Sequence, residues 1–161
     1  MFEEQLLNPH DHDRRNFSSG FRELDEYIQR CAAQQSKKNI AVVRVLVNIT
    51  VPHVILGYYS LSAVQIDIMQ LDDQACKKLP HYPIPCFRMG RLAVHSAHQG
   101  RGLGRLLMGC VVERCLEAKK QVAAYALIVD AKGNTAKNFY EHYGFIACRE
   151  NPLTLYLPLG E

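Results

Sequence analysis

The segment "HQGRGLGRLLM" (residues 98–108) constrains the fold more than any other stretch of the chain. It sets Gly100, Gly102 and Gly104 among Arg101 and Arg105, at the point where an apolar run gives way to helical periodicity. Upstream, "CFRMGRLAVH" reads as a strand. Downstream, Leu103, Leu106, Leu107, Cys110, Val111 and Cys115 line one stripe of a helix. A strand, a glycine-rich bend and a helix start in that order admit two readings. One is a tight turn that happens to be basic. The other is an anion cradle, because glycine lets backbone N–H groups crowd around a phosphate and the helix start adds unpaired donors and a favourable dipole.

The rest of the chain gives that unit a mixed α+β setting. "FSSGFRELDEYIQRCAAQQ" carries Phe21, Leu24, Ile28 and Cys31 at helical spacing. "IAVVRVLVN" and "HVILGYYSLSA" are β-branched and aromatic, and read as an antiparallel pair around a turn at residues 50–52. "LDDQACKKL" predicts a short helix, and "LPHYPIP" an extended segment that three prolines keep out of any sheet interior. "VAAYALIVD" predicts a buried strand, "NTAKNFYEHYG" a helix stopped by Gly144, and "TLYLPL" a last strand. No repeat or linker interrupts the 161 residues, so a single domain over 1–161 is expected.

Several function classes fall away. The net charge of +3 permits an anionic partner without demanding one. No apolar run approaches the ~18–20 residues of a membrane span, and "MFEEQLLNPHDHD" is acidic where a signal peptide is basic. A cytoplasmic protein without a membrane partner is expected. The cysteines Cys31, Cys76, Cys86, Cys110, Cys115 and Cys148 form no CxxC pair and read as reduced, mostly buried side chains. "HDHD" (residues 10–13) has no second cluster at ligand spacing, so it reads as the solvated start of a helix, and no metal is expected.

The glycine bend is not a Walker A loop, since no Gly-Lys-Ser/Thr follows. Nor does it fit a dinucleotide fingerprint, because Arg105 stands where the last glycine should fall. What remains is a Q-x-x-G-x-G/A turn, held by Gln99, Gly102 and Gly104. That turn resembles the acetyl-coenzyme-A pyrophosphate site of the GNAT family of N-acetyltransferases. "RLAV" upstream and "NTAKNFYEHYGF" downstream resemble further family motifs, in the right order. Together with "FSSGFRELDEYI", "LGYYSLSA", "LPHYPIP" and the closing "LYLPL", they resemble the GNAT toxins of bacterial toxin–antitoxin modules over nearly the whole chain.

The resemblance implies the GNAT fold, a central, mostly antiparallel splayed sheet flanked by helices, with acetyl-CoA as cosubstrate. It implies transfer of acetyl to the α-amino group of aminoacyl-tRNA, which blocks translation. It also implies a ribbon–helix–helix antitoxin as partner, contact with operator DNA only through that antitoxin, and room for a homodimer. By the same resemblance, Leu92, Ala93 and Val94 pair their backbone with the pantetheine amides. Backbone N–H groups of Gln99, Gly100, Arg101, Gly102, Leu103, Gly104 and Arg105 face the pyrophosphate, with charge from the two arginines. Asn134 either bonds the pantetheine arm or caps its helix, and Phe139 lies beside the cofactor. Tyr140 is the expected catalytic residue, a phenol that donates to the departing coenzyme A thiolate.

The attacking amine must be neutral, yet "CFRMGRLAV" contains no carboxylate to serve as base. A lysine amine (pKa ~10.4) is almost wholly protonated at pH 7, whereas an α-amine (~7.8) is partly free, a difference of about 3.5 kcal/mol in deprotonation cost. A site without a base on this strand therefore suits an α-amine. Arg14, Arg15, Arg22, Arg30, Lys37, Lys38 and Arg44, with Lys77, Lys78, Arg88 and Arg91, supply a candidate phosphate-binding face, interleaved by Glu23, Asp25 and Glu26. Two other readings stay open: a GNAT enzyme acting on a small-molecule or protein amine, and a non-catalytic CoA-binding module.

Overall fold

The computed structural model describes residues 1–67, 77–80 and 83–160. The helix expected over residues 71–79 lies mostly outside the described residues, and Cys76, His81 and Tyr82 lie outside them. Among the described residues, seven strands form one sheet in the order β1-β2-β3-β4-β5-β7-β6. They are β1 (Phe2–Leu6), β2 (Val42–Asn48), β3 (Gly57–Ile66), β4 (Ile84–Val94), β5 (Ala126–Asp130), β6 (Ile146–Ala147) and β7 (Thr154–Pro158). β1/β2, β2/β3, β5/β7 and β6/β7 are antiparallel, and β4/β5 is parallel. The helices are α1 (Arg22–Glu26), α2 (Ala32–Lys37), α3 (Leu103–Ala118) and α4 (Asn134–Tyr143). A π-helical turn, Tyr27–Cys31, joins α1 to α2. This is the mixed, mostly antiparallel architecture expected from the sequence.

The chain divides into two compact units, the first made of Met1–Ser62 with Gly90–Glu113. Its core follows from the period-2 pattern of β2: Val43, Val45 and Val47 point to one face, where Phe17, Tyr27, Ile28, Ala32, Ile55, Tyr58 and Ala93 join them. Asn39, in the left-handed region at φ +61°, ends α2, and Ile40 N donates back to Gln35 O (2.9 Å). On the other face of β2, Arg44 Nη1 binds Glu4 Oε1 (3.0 Å) while Tyr59 OH donates to Glu4 Oε2 (2.8 Å). Arg44 is thus turned inward and leaves the basic face to which the sequence assigned it.

The N-terminal reading needs a second correction. Residues 10–13 start no helix. They form a turn after β1, with His12 N bonded to Asn8 O (2.9 Å) and Asp13 N to His53 O (2.8 Å). His12 is buried, its Nδ1 accepting from Asn8 N and its Nε2 meeting Gln5 Oε1, each at 2.9 Å. Burial holds its pKa below the ordinary histidine value. Charge patterning concealed β1 itself, because "FEEQL" puts Glu4 inward against Arg44.

The second unit comprises the described residues of Ala63–Met89 and Arg114–Glu161. Ile66, Ile84, Cys86, Ala126, Ile128, Cys148 and Tyr156 form its core. β4 begins at Ile84, so Pro85 lies in an inner strand, contrary to expectation. Proline lacks an N–H, but its carbonyl is free, and Pro85 O accepts from Tyr125 N (2.8 Å). Arg88 Nε stands 3.7 Å from Asp130 Oδ2 at the carboxyl end of β5. Of the described cysteines, Cys86, Cys115 and Cys148 are buried, and all are free thiols. The α3 stripe buries Leu103, Leu107, Val111 and Cys115, whereas Leu106 falls off it at 41% exposure. Among the described residues no helix is long and apolar enough to cross a membrane.

Candidate active site

In the first unit, β4 runs directly into the glycine bend. Its ladder with β5 covers Phe87, Arg88 and Met89, so on that edge Leu92, Ala93 and Val94 extend past the last paired residue. Their backbone amides suit an extended ligand with amides of its own. On the opposite edge the same stretch is seated tightly. His95 N donates to Leu56 O (2.8 Å), and Ala93 O comes within 2.8 Å of where a Cβ on Gly57 would stand.

After Val94 the chain makes a short 3-10 turn, Ser96–His98, and then the bend. Gly100 (φ +80°) and Gly102 (φ +77°) lie in the left-handed region, with nothing within 4 Å of an added Cβ. Glycine is required there by the backbone path rather than by crowding. The first i→i−4 bond of α3 runs from Leu106 N to Gly102 O (3.1 Å), so the N–H groups of Leu103, Gly104 and Arg105 precede it without intrahelical acceptors. A notional Cβ on Gly104 meets only Val94 Cγ2, at 4.0 Å, leaving that side of the helix start open. Open space, unclaimed donors and a helix N-terminus fit a phosphate group.

The side chains around the bend divide their work. Gln99 Nε2 donates to Ser19 O (2.7 Å) and Val94 O (3.1 Å), so this side chain clips the bend shut and leaves only its main-chain N–H for a ligand. Arg101 Nη1 rests on His98 Nδ1 (2.9 Å), and Arg105 is exposed. Sequence reasoning missed Ser19, His95 and Gly57 as supports of the bend. Their roles depend on partners up to 80 positions away, which no local motif records.

Asn134, Phe139 and Tyr140 lie in the second unit, on α4. Gly133 (φ +141°) occupies the N-cap position and Asn134 is the first helical residue, so the capping role considered for Asn134 falls away and its exposed amide remains uncommitted. Gly144 (φ +111°) stops the helix as expected. The stop folds Phe145 back, its N donating to Tyr140 O (3.0 Å) and its ring 5.4 Å from that of Tyr140. Phe139 packs edge-on against the same ring, also at 5.4 Å. Tyr140 is 8% exposed, yet its hydroxyl makes no hydrogen bond among the described residues. Burial pushes its pKa up to about 12, so the phenol keeps its proton across the neutral range. A held ring with a free O–H is a donor awaiting an acceptor. Among the described residues no group of three or more His, Cys, Asp or Glu side chains is placed to hold a metal ion.

The bend and α4 both fall within residues 54–147, which match the family model described as an acetyltransferase (GNAT) domain. The chain is 30% identical over 145 residues to the "tRNA-acetylating toxin" of Mycobacterium tuberculosis (strain ATCC 25618 / H37Rv), covering 90% of this chain and 85% of that one. Among solved structures, a tyrosine-to-phenylalanine mutant of KacT superposes with a TM-score of 0.91 at 30% identity, covering 98% of this chain and 95% of that one. AtaT complexed with acetyl-methionyl-tRNAfMet superposes with a TM-score of 0.90 at 27% identity, again over 98% and 95%. AtaT has also been solved as a tyrosine-to-phenylalanine mutant bound to the C-terminus of its antitoxin AtaR and to acetyl-CoA.

Proposed function

This chain belongs to the GNAT acetyltransferase family and is an N-acetyltransferase, and we propose that it is a toxin whose acceptor is the α-amine of aminoacyl-tRNA. The observation that carries this reading is the reach of the likeness. The family model spans residues 54–147, whereas the likeness to the tRNA-acetylating toxin spans 90% of the chain and that to tRNA-bound AtaT 98%. The N-terminal strand and the α1–α2 segment are thus included, where a generic acetyltransferase need share nothing.

In this reading the whole chain is one catalytic domain that takes acetyl-CoA as its acetyl donor, as the complex of AtaT with acetyl-CoA suggests. The N–H groups at the start of α3 and the bend bind the pyrophosphate, Arg101 and Arg105 add charge, and Leu92, Ala93 and Val94 pair with the pantetheine amides. Asn134 and Phe139 line the cofactor arm. The neutral α-amine attacks the thioester carbonyl, the C–S bond breaks, and Tyr140 donates its hydrogen to the sulfur that leaves. The amine's surplus proton passes to solvent, from which the Tyr140 phenolate regains the one it gave. By analogy with AtaR, the protein partner is an antitoxin of the ribbon–helix–helix class, through which operator DNA is reached. The exposed Arg15, Arg30, Lys37 and Lys38 serve the tRNA phosphates.

Two predictions follow from the residues. Gly102→Ala forces a side chain into the left-handed region at φ +77°, which costs roughly 1–2 kcal/mol. The open bend sheds that strain by leaving its path, so the cost is met when acetyl-CoA demands the path again: Kd rises by about tenfold in a direct titration, with little change in Tm. The second concerns pH. The reactive amine is the neutral one, so at saturating acetyl-CoA log kcat/KM for the amine rises with a slope near one up to the amine's own pKa of ~7.7–8.0 and levels off above it. Tyr140, held up to about 12, stays protonated and imposes no alkaline fall until well above that range. A profile measured from pH 5.5 to 10 checks both limbs; an inflection at ~4–5 would reveal a carboxylate base instead.

The proposal is tested by incubating the protein with acetyl-CoA and a charged total tRNA pool, then reading the aminoacyl ends by mass spectrometry. N-acetyl-aminoacyl ends are expected, and their masses name the amino acid. Acetyl-CoA binding without acetylated ends would overturn the tRNA assignment and turn the search to small amines and protein N-termini.

A further inference from the structure

The bend that receives the pyrophosphate is fastened to the N-terminal segment through three carbonyls of that segment. Ser96 N donates to Ser18 O (2.7 Å), Gln99 Nε2 to Ser19 O (2.7 Å), and His95 Nε2 meets Asn16 O at 3.2 Å. Ser19 is itself gripped by Asp25 of α1, which accepts from Ser19 N (2.8 Å) and Ser19 Oγ (2.7 Å). Of these fasteners, only His95 carries a titratable side chain.

Its two contacts demand one species of imidazole. Nδ1 accepts from Ala97 N (3.1 Å) and thereby caps the 3-10 turn Ser96–His98. Ala97 N–H can only donate and Asn16 O can only accept. The neutral Nε2–H tautomer satisfies both at once. Protonation keeps the Asn16 bond but sets a second N–H at Nδ1 against Ala97 N–H, so the cap becomes a donor–donor contact.

The surroundings hold the ring in place. It packs edge-on against Phe17 (5.6 Å between centroids) and against His98 (5.8 Å). Among the described residues, the charged and titratable groups tied to this junction are His98 beside the ring, Arg101 through its bond to His98 Nδ1 (2.9 Å), and Asp13 through its bonds to Asn16 N (3.3 Å) and Nδ2 (2.5 Å). Phe17 and Asn16 are uncharged.

We infer that His95 is a positioning residue that links acetyl-CoA binding to a proton: the unprotonated imidazole sets the bend for the pyrophosphate, and protonation releases it. This rests on the reading of the bend as the pyrophosphate site. A residue with a merely structural role would weaken binding equally at every pH when replaced. A residue acting as a proton-sensitive cap changes the pH profile itself.

The test is calorimetric titration of acetyl-CoA at pH 6 and pH 8, in two buffers of different ionisation enthalpy, with the wild type, His95→Asn, His95→Ala and His98→Asn. Asparagine supplies an Oδ1 acceptor for Ala97 N–H and carries no titratable proton. The ligand's own phosphates titrate identically in all four proteins, so the comparison among them isolates the imidazole. From pH 8 to pH 6 the wild type is expected to lose at least about threefold more affinity than His95→Asn, and to release protons on binding at pH 6. His95→Asn flattens the profile, His95→Ala binds weakly with an equally flat profile, so that its deficit against the wild type is larger at pH 8 than at pH 6, and His98→Asn keeps the wild-type trend. Parallel profiles for the wild type and His95→Asn would overturn the inference, as would tighter wild-type binding at pH 6 or a flattening that follows His98 instead. Absence of wild-type binding at pH 8 would overturn the pyrophosphate reading itself, a distinct result.

Discussion

Replacing Tyr140 with phenylalanine is expected to lower kcat for N-acetylation by about 10²–10⁴-fold while acetyl-CoA affinity stays within about twofold. The change removes one oxygen from a ring that Phe139 and Phe145 already hold, so the ring keeps its place. The hydroxyl makes no hydrogen bond among the described residues, so no partner is left unsatisfied and the stability cost is small. What disappears is a donor whose proton is retained to about pH 12. A thiolate leaving into a site without that donor must carry its full charge until water reaches it. The loss therefore appears in kcat under saturating acetyl-CoA, with the far-UV spectrum and Tm of the variant near those of the wild type. A variant that turns over within threefold of the wild type would remove Tyr140 from the chemistry, and a non-catalytic CoA-binding module would show no turnover to lose. Tyrosine-to-phenylalanine mutants of both KacT and AtaT have been solved, which makes the comparison across relatives direct.

Much of this arrangement was legible in the sequence because its signals are local. The glycines of the bend, the stripe of α3 and the Gly144 stop each declare themselves within a few residues, and the structure builds a bend, a helix and a stop where they stand. What stayed hidden depends on partners remote in sequence. β1 reads as a charged tail until Glu4 is seen to meet Arg44 and Tyr59, 40 and 55 positions away. His12 reads as a solvated side chain until Gln5 and Asn8 are seen to close around it. Pro85 reads as a bar to any inner strand until its carbonyl is found to carry the bond that its nitrogen cannot. The pattern speaks only for the main-chain N–H of Gln99, and is silent on its side chain, which holds the carbonyls of Ser19 and Val94.

Gly57→Ala is expected to destabilise the protein by about 2 kcal/mol, a fall in Tm of roughly 4–8 °C. Nothing in the sequence marks this glycine, which stands between Leu56 and Tyr58 in a strand where a larger residue would ordinarily pack well. The structure gives the reason. A Cβ at Gly57 would lie 2.7 Å from Leu107 Cδ1, 2.8 Å from Ala93 O and 3.6 Å from Val94 Cα. Leu107 is fully buried on α3 and has little room to turn away. Ala93 O is backbone, and moving it shifts the strand proposed to hold the pantetheine amides. The effect should therefore be double: a lower midpoint in chemical denaturation, and a higher acetyl-CoA Kd measured under conditions where the variant remains folded. Gly102→Ala separates the two, since the open bend relaxes to shed its strain and should raise Kd with little change in Tm. If Gly57→Ala lost stability without losing affinity, the close approach of β3 to Ala93 would serve packing only, and the support for the ligand-binding edge of β4 would have to come from His95 and Leu56 instead.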